Sequence, residues 1–287
     1  MVRNKATVGI FLMIAAVAML TTMSALVKVI GPEYHPVQVS FLRNVIAALV
    51  ILPILLRAGG MIVLKTRRPG LITVRTIAGI TGNILYFYAY QRLAVGDVVV
   101  IAQAVPLFVT ALAVLFLGET VGWRRWAAVS VGFVGVVIAI HPGGEVSLAS
   151  LLALLATGLW ASTILMMRSL GATESPYAIS FYFMTIGAAL TAFAQPWVWK
   201  TPTAEVYMLL IGVGIAGAFG QILMSYALKL ADASVVSPFN YTGILWALMF
   251  DLVIWGVVPT WATLIGAALI TVAGVYIFHR ESVVRRQ

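Results

Sequence analysis

The sequence predicts an all-α polytopic membrane protein, with ten transmembrane helices arranged as two inverted five-helix repeats. Three observations carry this. The chain of 287 residues is 62% hydrophobic and only 9% charged, where a soluble domain is roughly half apolar and a quarter charged. Its apolar residues fall in runs of about 20, the length that crosses a bilayer. Its second half also repeats the pattern of its first. A mean hydropathy of +1.05 excludes a disordered chain, and ten spans with short loops leave no room for a soluble domain.

In chain order the spans are 8–27, 37–56, 71–91, 97–117, 124–140, 148–167, 177–196, 205–228, 234–256 and 261–279. Polar or proline-bearing breaks separate them. Residues 31–36, 118–120, 141–145 and 201–203 make short breaks, and only 57–70 forms a larger loop. The first run follows Arg3 and Lys5 as a signal peptide would. It is longer than the usual apolar region of a signal and has a copy later in the chain, so it is read as a span.

The formal net charge is +9, and its placement matters more than its size. With ten spans, one side of the membrane receives Arg3, Lys5, Arg57, Lys65, Arg67, Arg68, Arg75, Arg124, Arg125, Arg168, Lys229, Arg280, Arg285 and Arg286. The other receives only Lys28, Arg92 and Lys200, while Arg43 falls within a span. Cytoplasmic loops carry the excess of Lys and Arg, so both termini are expected in the cytoplasm and the setting is a bacterial inner membrane. The positive charge is thus spent on loop flanks beside the lipid bilayer, and no nucleic-acid partner is expected.

Chemistry of other kinds finds no footing. Cysteine is absent, which excludes disulfides, thiolate metal sites and a cysteine nucleophile. The three histidines, His35, His141 and His279, fall in loops or at span ends. There is no His-x-x-x-His pair, no Gly-x-Ser-x-Gly elbow and no Walker loop. An intramembrane enzyme is therefore the weaker alternative, no cofactor or metal is expected, and ATP does not drive the protein directly. A channel would show rings of like charge, and none recurs here.

The internal repeat points to transport. Lys28-Val-Ile-Gly31, Pro36 and Ser40-Phe41 match Arg168-Ser-Leu-Gly171, Pro176 and Ser180-Phe181 at a constant offset of 140. Arg92-Leu93-Ala94 matches Lys229-Leu230-Ala231, and Gly118, Trp123 and His141 match Gly256, Trp261 and His279. The repeats are placed at 1–142 and 143–287, with five spans each. Five is odd, so the second copy enters from the opposite side. Inverted repeats place a substrate site near the bilayer midplane, at the repeat interface.

The stretch Tyr86-Phe-Tyr-Ala-Tyr-Gln-Arg-Leu-Ala-Val-Gly-Asp97, followed by Ala104-Val-Pro106, Leu117-Gly118-Glu119 and Gly132-Phe-Val-Gly135, resembles the EamA domain. That domain is the repeated unit of the drug/metabolite transporter superfamily. Ser225-Tyr-Ala-Leu-Lys-Leu-Ala-Asp-Ala-Ser234 and onward to Gly274 resembles the second copy. The chain departs at Gly256-Val257, where the family often has Gly-Glu. The resemblance implies five plus five inverted helices, a central cavity and alternating access. Members of the superfamily move amino acids, nucleotide-like metabolites, vitamins, sugar phosphates and drugs.

Ionisable groups inside a bilayer are costly and mark functional candidates. Arg43 and Asp251 qualify, each expected to face the interior and either to pair with the other or to contact substrate. Asp251 is also the candidate for proton coupling. Lys28 shares a face with Ser24 and Thr21 and is expected to reach water from its helix end. Glu119 is expected to tie down a turn. Span three presents Asn83, Tyr86 and Tyr90 as one stripe, and span nine presents Ser237, Asn240, Tyr241 and Asp251. Gln103 of span four is the repeat partner of Asn240. Thr157 and Trp160 of span six, and Gln221 and Ser225 of span eight, complete an expected cavity lining. The alternative for all of them is interhelical hydrogen bonding.

Trp123, Trp197 and Trp199 read as interfacial anchors. Gly132, Gly135, Gly266 and Gly274 mark spans five and ten as scaffold or as the face of a homodimer. Pro106 and Pro238 are expected to kink their spans. The function expected is secondary transport of a small polar organic metabolite, an amino acid or related compound, by export or exchange. A riboflavin-type vitamin or a drug is the alternative substrate.

Overall fold

A computed structural model of the chain describes residues 2–57, 60, 64–117, 122–140, 146–171, 173–230 and 236–284. Among these every regular element is helical. We label the α-helices α1 (Val2–Ile30), α2 (Pro36–Arg57), α3 (Pro69–Tyr90), α4 (Val95–Ala102), α5 (Val105–Leu117), α6 (Trp123–Ile140), α7 (Leu148–Gly171), α8 (Pro176–Ala192), α9 (Gln195–Val198), α10 (Ala204–Leu230), α11 (Thr242–Trp255) and α12 (Trp261–Val284). A 3₁₀ segment, Ser237–Tyr241, leads into α11.

Six segments of the described residues are long and apolar enough to cross a membrane: Thr7–Ile30, Pro36–Arg57, Pro69–Tyr90, Val95–Leu112, Leu148–Met167 and Ala204–Met224. Shorter apolar helices cover Trp126–Ile140, Tyr177–Ala192 and Trp261–Ile277. The protein is an integral membrane protein.

Helix starts follow local chemistry. Proline opens α2, α3 and α8, where its missing N–H costs nothing. Ser147, Ser175, Thr203 and Thr260 accept hydrogen bonds from Ser150, Tyr177, Val206 and Thr263 backbone N–H groups, capping the helices they precede. At the far end of α11, Gly256 adopts φ +64°, the left-handed conformation that ends helices with least strain. Within the spans, Thr21, Thr76, Thr110 and Thr191 donate to the carbonyls four residues back, so these hydroxyls are satisfied locally.

The packing has an internal symmetry. The most extensive contacts run between α1 and α10, α6 and α12, α3 and α7, and α2 and α8, while α4 lies against α11. When α1, α2, α3, α4–α5 and α6 are matched to α7, α8, α10, α11 and α12, these contacts map onto one another. The α1–α10 contact becomes α7–α3, and the rest map onto themselves.

Glycine sets the tightest crossings. A Cβ on Gly266 would stand 2.7 Å from the Gly135 carbonyl oxygen and 3.1 Å from the Ala139 backbone nitrogen. The small residues predicted as scaffold or dimer face are thus used within one chain, joining α6 to α12. The opposite face of α6 presents Val131, Val134 and Val137 outward. A groove of about 500 Å³ lies there between α5 and α6. Its lining is mostly apolar, and the Ser130 hydroxyl there donates to the Trp126 carbonyl. Trp123, Trp197 and Trp199 are exposed, as interfacial anchors require.

The loop between α1 and α2 is tied to the approach to α10. Gln38 donates to the Lys200 carbonyl at 2.7 Å and accepts from its N–H at 3.0 Å. Lys200 Nζ lies 2.8 Å from Glu33 Oε2. The hydrogen bond and then the charge of Lys200 hold the Glu33 carboxyl below its ordinary value. Any stability from this pair is therefore present above the ordinary Glu range and lost as pH falls through the lowered value. Both groups are exposed and screened, so Glu33→Gln is expected to leave the melting curve unchanged at physiological salt.

Candidate functional site

Two breaks define the centre. The helix begun at Val95 stops at Ala102, turns through Gln103–Ala104 and restarts at Val105. Its repeat counterpart runs as the 3₁₀ segment Ser237–Tyr241 before α11 begins. Both spans were expected to kink at proline; the first is interrupted at Gln103–Ala104, and the second winds as a 3₁₀ segment that runs directly into α11. Pro106 sits in the first turn of α5 and Pro238 in the first turn of the 3₁₀ segment, where proline is tolerated. Gln103 Nε2 donates to the Asn240 carbonyl at 2.8 Å, so the interruptions touch. At 1.5 Å per residue, α4 carries its break roughly 12 Å along the span and α11 stands roughly 21 Å tall. Irregular backbone at membrane depth is tolerated only where protein or a water-lined cavity satisfies it.

Beside this centre lie the polar and aromatic residues of α3. The Tyr86 and Tyr90 rings stack with centroids 6.1 Å apart. The Tyr86 hydroxyl shares a 2.9 Å hydrogen bond with Thr157 of α7. Thr157 itself donates to the Ala153 carbonyl at 2.8 Å, so it keeps a partner without Tyr86. Tyr86→Phe is therefore expected to cost only about 0.5–1.5 kcal/mol, measurable as a small shift in thermal unfolding. Asn83 carries a buried side-chain oxygen with no hydrogen-bond partner. Trp160 and Gln221 are half-buried on α7 and α10, and Asn240 is half-buried at its break. Glu119 and the side chains of Ser225 and Ser237 lie outside the described residues.

Three expectations are corrected. Arg43 and Asp251 do not pair. Asp251 Oδ1 accepts from Lys28 Nζ at 2.9 Å and from the Val95 N–H at 3.0 Å, and Oδ2 accepts from the Gly96 N–H at 2.6 Å. The carboxylate thus caps α4 at its positive dipole end and anchors α11 to α1. Gly96 permits this approach, because a Cβ there would stand 3.2 Å from Asp251 Oδ2. Lys28 does not extend to water, since it makes this ion pair and lies 4.1 Å from the Trp255 ring centroid. Tyr241 aims its hydroxyl onto Gly274 of α12, where it is buried without a hydrogen-bond partner. The 3₁₀ winding of three residues per turn rotates Tyr241 off the face that an α-helical count assigns it.

Arg43 is 2% exposed and donates to Asn44 Oδ1 at 2.8 Å, while its Nε has no partner. A second buried arginine escaped the sequence reading. Arg75 of α3 is also 2% exposed, and among the described residues it donates to Met167 Sδ at 3.2 Å. It had been counted among the cytoplasmic flank charges. Its position four residues inside the run 71–91 was the signal that placed it within the membrane.

Long apolar helices in symmetric contact, with polar groups gathered at two touching breaks, define the class: a multi-span membrane transporter. The chain belongs to the EamA-like transporter family, whose model matches it twice, over residues 7–140 and 147–279. It is thus a member of the drug/metabolite transporter superfamily. It is 30% identical over 255 residues to a protein of Rickettsia bellii (strain RML369-C) named S-adenosylmethionine uptake transporter, covering 88% of this chain and 87% of that one. It is 30% identical over 247 residues to a riboflavin transporter of Vibrio cholerae, covering 85% and 83%. It is 27% identical over 271 residues to the pseudopaline exporter CntI of Pseudomonas aeruginosa, covering 92% and 94%. A crystal structure 18% identical in sequence superposes with a TM-score of 0.67 over 94% of this chain and 95% of that one, which shows the shared fold.

Proposed function

We propose that the protein is a secondary transporter that moves a small polar organic metabolite by alternating access. Its ten spans form two inverted repeats, 1–142 and 143–287, in an inner membrane with both termini cytoplasmic. The observation that carries this reading is the hydrogen bond between irregular turns at repeat-equivalent positions, from Gln103 at the α4–α5 break to Asn240 in the 3₁₀ segment. Discontinuous helices at mid-depth supply backbone groups for a solute and joints for rocking motion.

An amino acid or a compound derived from one is the leading substrate class, by export or exchange. The two S-adenosylmethionine and riboflavin relatives both handle molecules with a flat ring, which the stacked Tyr86–Tyr90 pair suits. A riboflavin-type vitamin or a drug is therefore the second reading. Proton coupling through Asp251 requires the proton to displace Lys28, so a pH profile of transport that Asp251→Asn leaves unchanged assigns exchange or facilitated diffusion. A homodimer through spans five and ten would use the outward valines of α6, because the glycines are already engaged.

The test is counterflow in proteoliposomes loaded with amino acids, S-adenosylmethionine, riboflavin or cationic drugs. Saturable, trans-stimulated uptake of one class is the expected result. Gln103→Ala is expected to lower the rate several-fold while costing about 1 kcal/mol of stability. Single-channel currents, or flux linear in concentration, would overturn the carrier reading.

A further inference from the structure

Arg43 and Arg75 come from different helices yet converge on one ring. The Phe183 centroid of α8 lies 5.8 Å from Arg43 Cζ and 4.5 Å from Arg75 Cζ. Among the described residues neither guanidinium meets a carboxylate. Arg43 Nε and Arg75 Nε and Nη1 are buried with no hydrogen-bond partner, and the carboxylates of Asp97 and Asp251 are taken by Thr263, Lys28 and the start of α4. Two like charges buried against one ring need a counter-charge, and a guanidinium presents a fork that fits a carboxylate or phosphate.

The surroundings fix the pair against Phe183. A Cβ on Gly79 would stand 2.8 Å from Phe183 Cε2, and one on Gly217 of α10 would stand 2.9 Å from Arg43 Nε. Arg75, Gly79, Asn83, Tyr86 and Tyr90 follow at spacings of four, four, three and four, which is one face of α3. The arginine pair is thus the continuation of the tyrosine stripe toward the other end of the helix.

We propose that Arg43 and Arg75 form an anion site, at which the carboxylate or phosphate group of a solute docks beside Phe183 while its remaining body extends along the α3 stripe toward Tyr86 and Tyr90. This rests on the transport reading and narrows it to solutes bearing an oxyanion.

The experiment is thermal unfolding of the purified full chain, titrated to tens of millimolar with inorganic phosphate and with succinate at ionic strength held by NaCl. A dose-dependent rise is expected by mass action, and the larger of the two responses names phosphate or carboxylate. In Arg75→Gln and Arg43→Gln the apparent affinity is expected to fall tenfold or more, with Arg75→Lys between them and the parent. Without ligand, Arg75→Gln is expected to melt no lower than the parent, because it removes an uncompensated charge, whereas a merely structural arginine would lower it.

Should a Gln variant fail to fold, the unaltered protein serves. Phosphate or succinate is expected to protect Arg43 and Arg75, and not Arg57 or Arg68, from phenylglyoxal, as read by peptide mass. Responses equal in parent and variants, or no response and no protection with either probe, would overturn the proposal. Counterflow of a solute without anion binding sinks this inference alone. Anion binding at the pair without counterflow of any solute sinks the transport reading alone.

Discussion

Replacing Asp251 by alanine is expected to destabilise the protein by about 3–5 kcal/mol, the cost of breaking a buried ion pair from one side. The residue is 2% exposed, and its carboxylate takes three donors: the Lys28 ammonium and the Val95 and Gly96 N–H groups. Alanine leaves the ammonium without its counter-ion and two N–H groups at the start of α4 without acceptors. Asp251→Asn keeps one acceptor but not the charge, so it is expected to fall between alanine and the parent. Lys28→Met/Asp251→Asn is expected to recover part of the loss, because the pair is removed from both sides and the single effects of contacting residues do not add. Thermal unfolding of the four proteins measures this. Equal melting of Asp251→Ala and the parent would contradict the anchoring role.

Gly266→Val is expected to be the most damaging change on the scaffold side. The neighbours of a new Cβ there are the Gly135 carbonyl oxygen at 2.7 Å, the Ala139 Cβ at 2.8 Å and the Ala139 nitrogen at 3.1 Å. Two of these are backbone atoms and cannot rotate aside. Accommodation requires α6 and α12 to separate, an overpacking cost of about 3 kcal/mol or more. Gly158 is the internal control. A Cβ there meets only Phe108 ring carbons at 3.5 Å, ordinary contact, so Gly158→Ala is expected to melt close to the parent. Equal melting of Gly266→Val and the parent would show that α6 and α12 are not held by this crossing.

Much of the architecture was legible because the bilayer imposes it. Apolar length marked the helices, and the offset between Gln103 and Asn240 paired two residues that the structure joins by a hydrogen bond. The interruptions themselves were not legible. Pro106 and Pro238 signal a disturbance, but whether a helix bends or stops depends on what satisfies the freed backbone groups, and here that is a side chain 137 residues away in sequence. Order along each span was legible, and azimuth was not. Counting from span ends placed Asp251 near one membrane face together with Lys28 and Arg43, and only packing decided that Lys28 is its partner.

Tyr241 was misassigned because the count assumed α-helical winding through a 3₁₀ segment. Arg75 was missed for a different reason. A rule that sorts charges by side of the membrane has no category for a basic residue one turn inside a span, and it was absorbed into the cytoplasmic total. The Gly96-Asp97 pair, part of the stretch that carried the family resemblance, proved to hold the end of α4 through Asp251 and Thr263.

The most direct measurement is access to the central break from each side of the membrane. The chain contains no cysteine, so a single cysteine at Asn240, half-buried beside Gln103, reports without background. It is to be probed with a membrane-impermeant maleimide applied to either face of oriented vesicles. The account predicts labelling from both faces, with the balance shifted by whichever solute supports counterflow and with slower labelling when that solute saturates the site. Labelling confined to one face, indifferent to every solute that is transported, would contradict an alternating path through the Gln103–Asn240 junction.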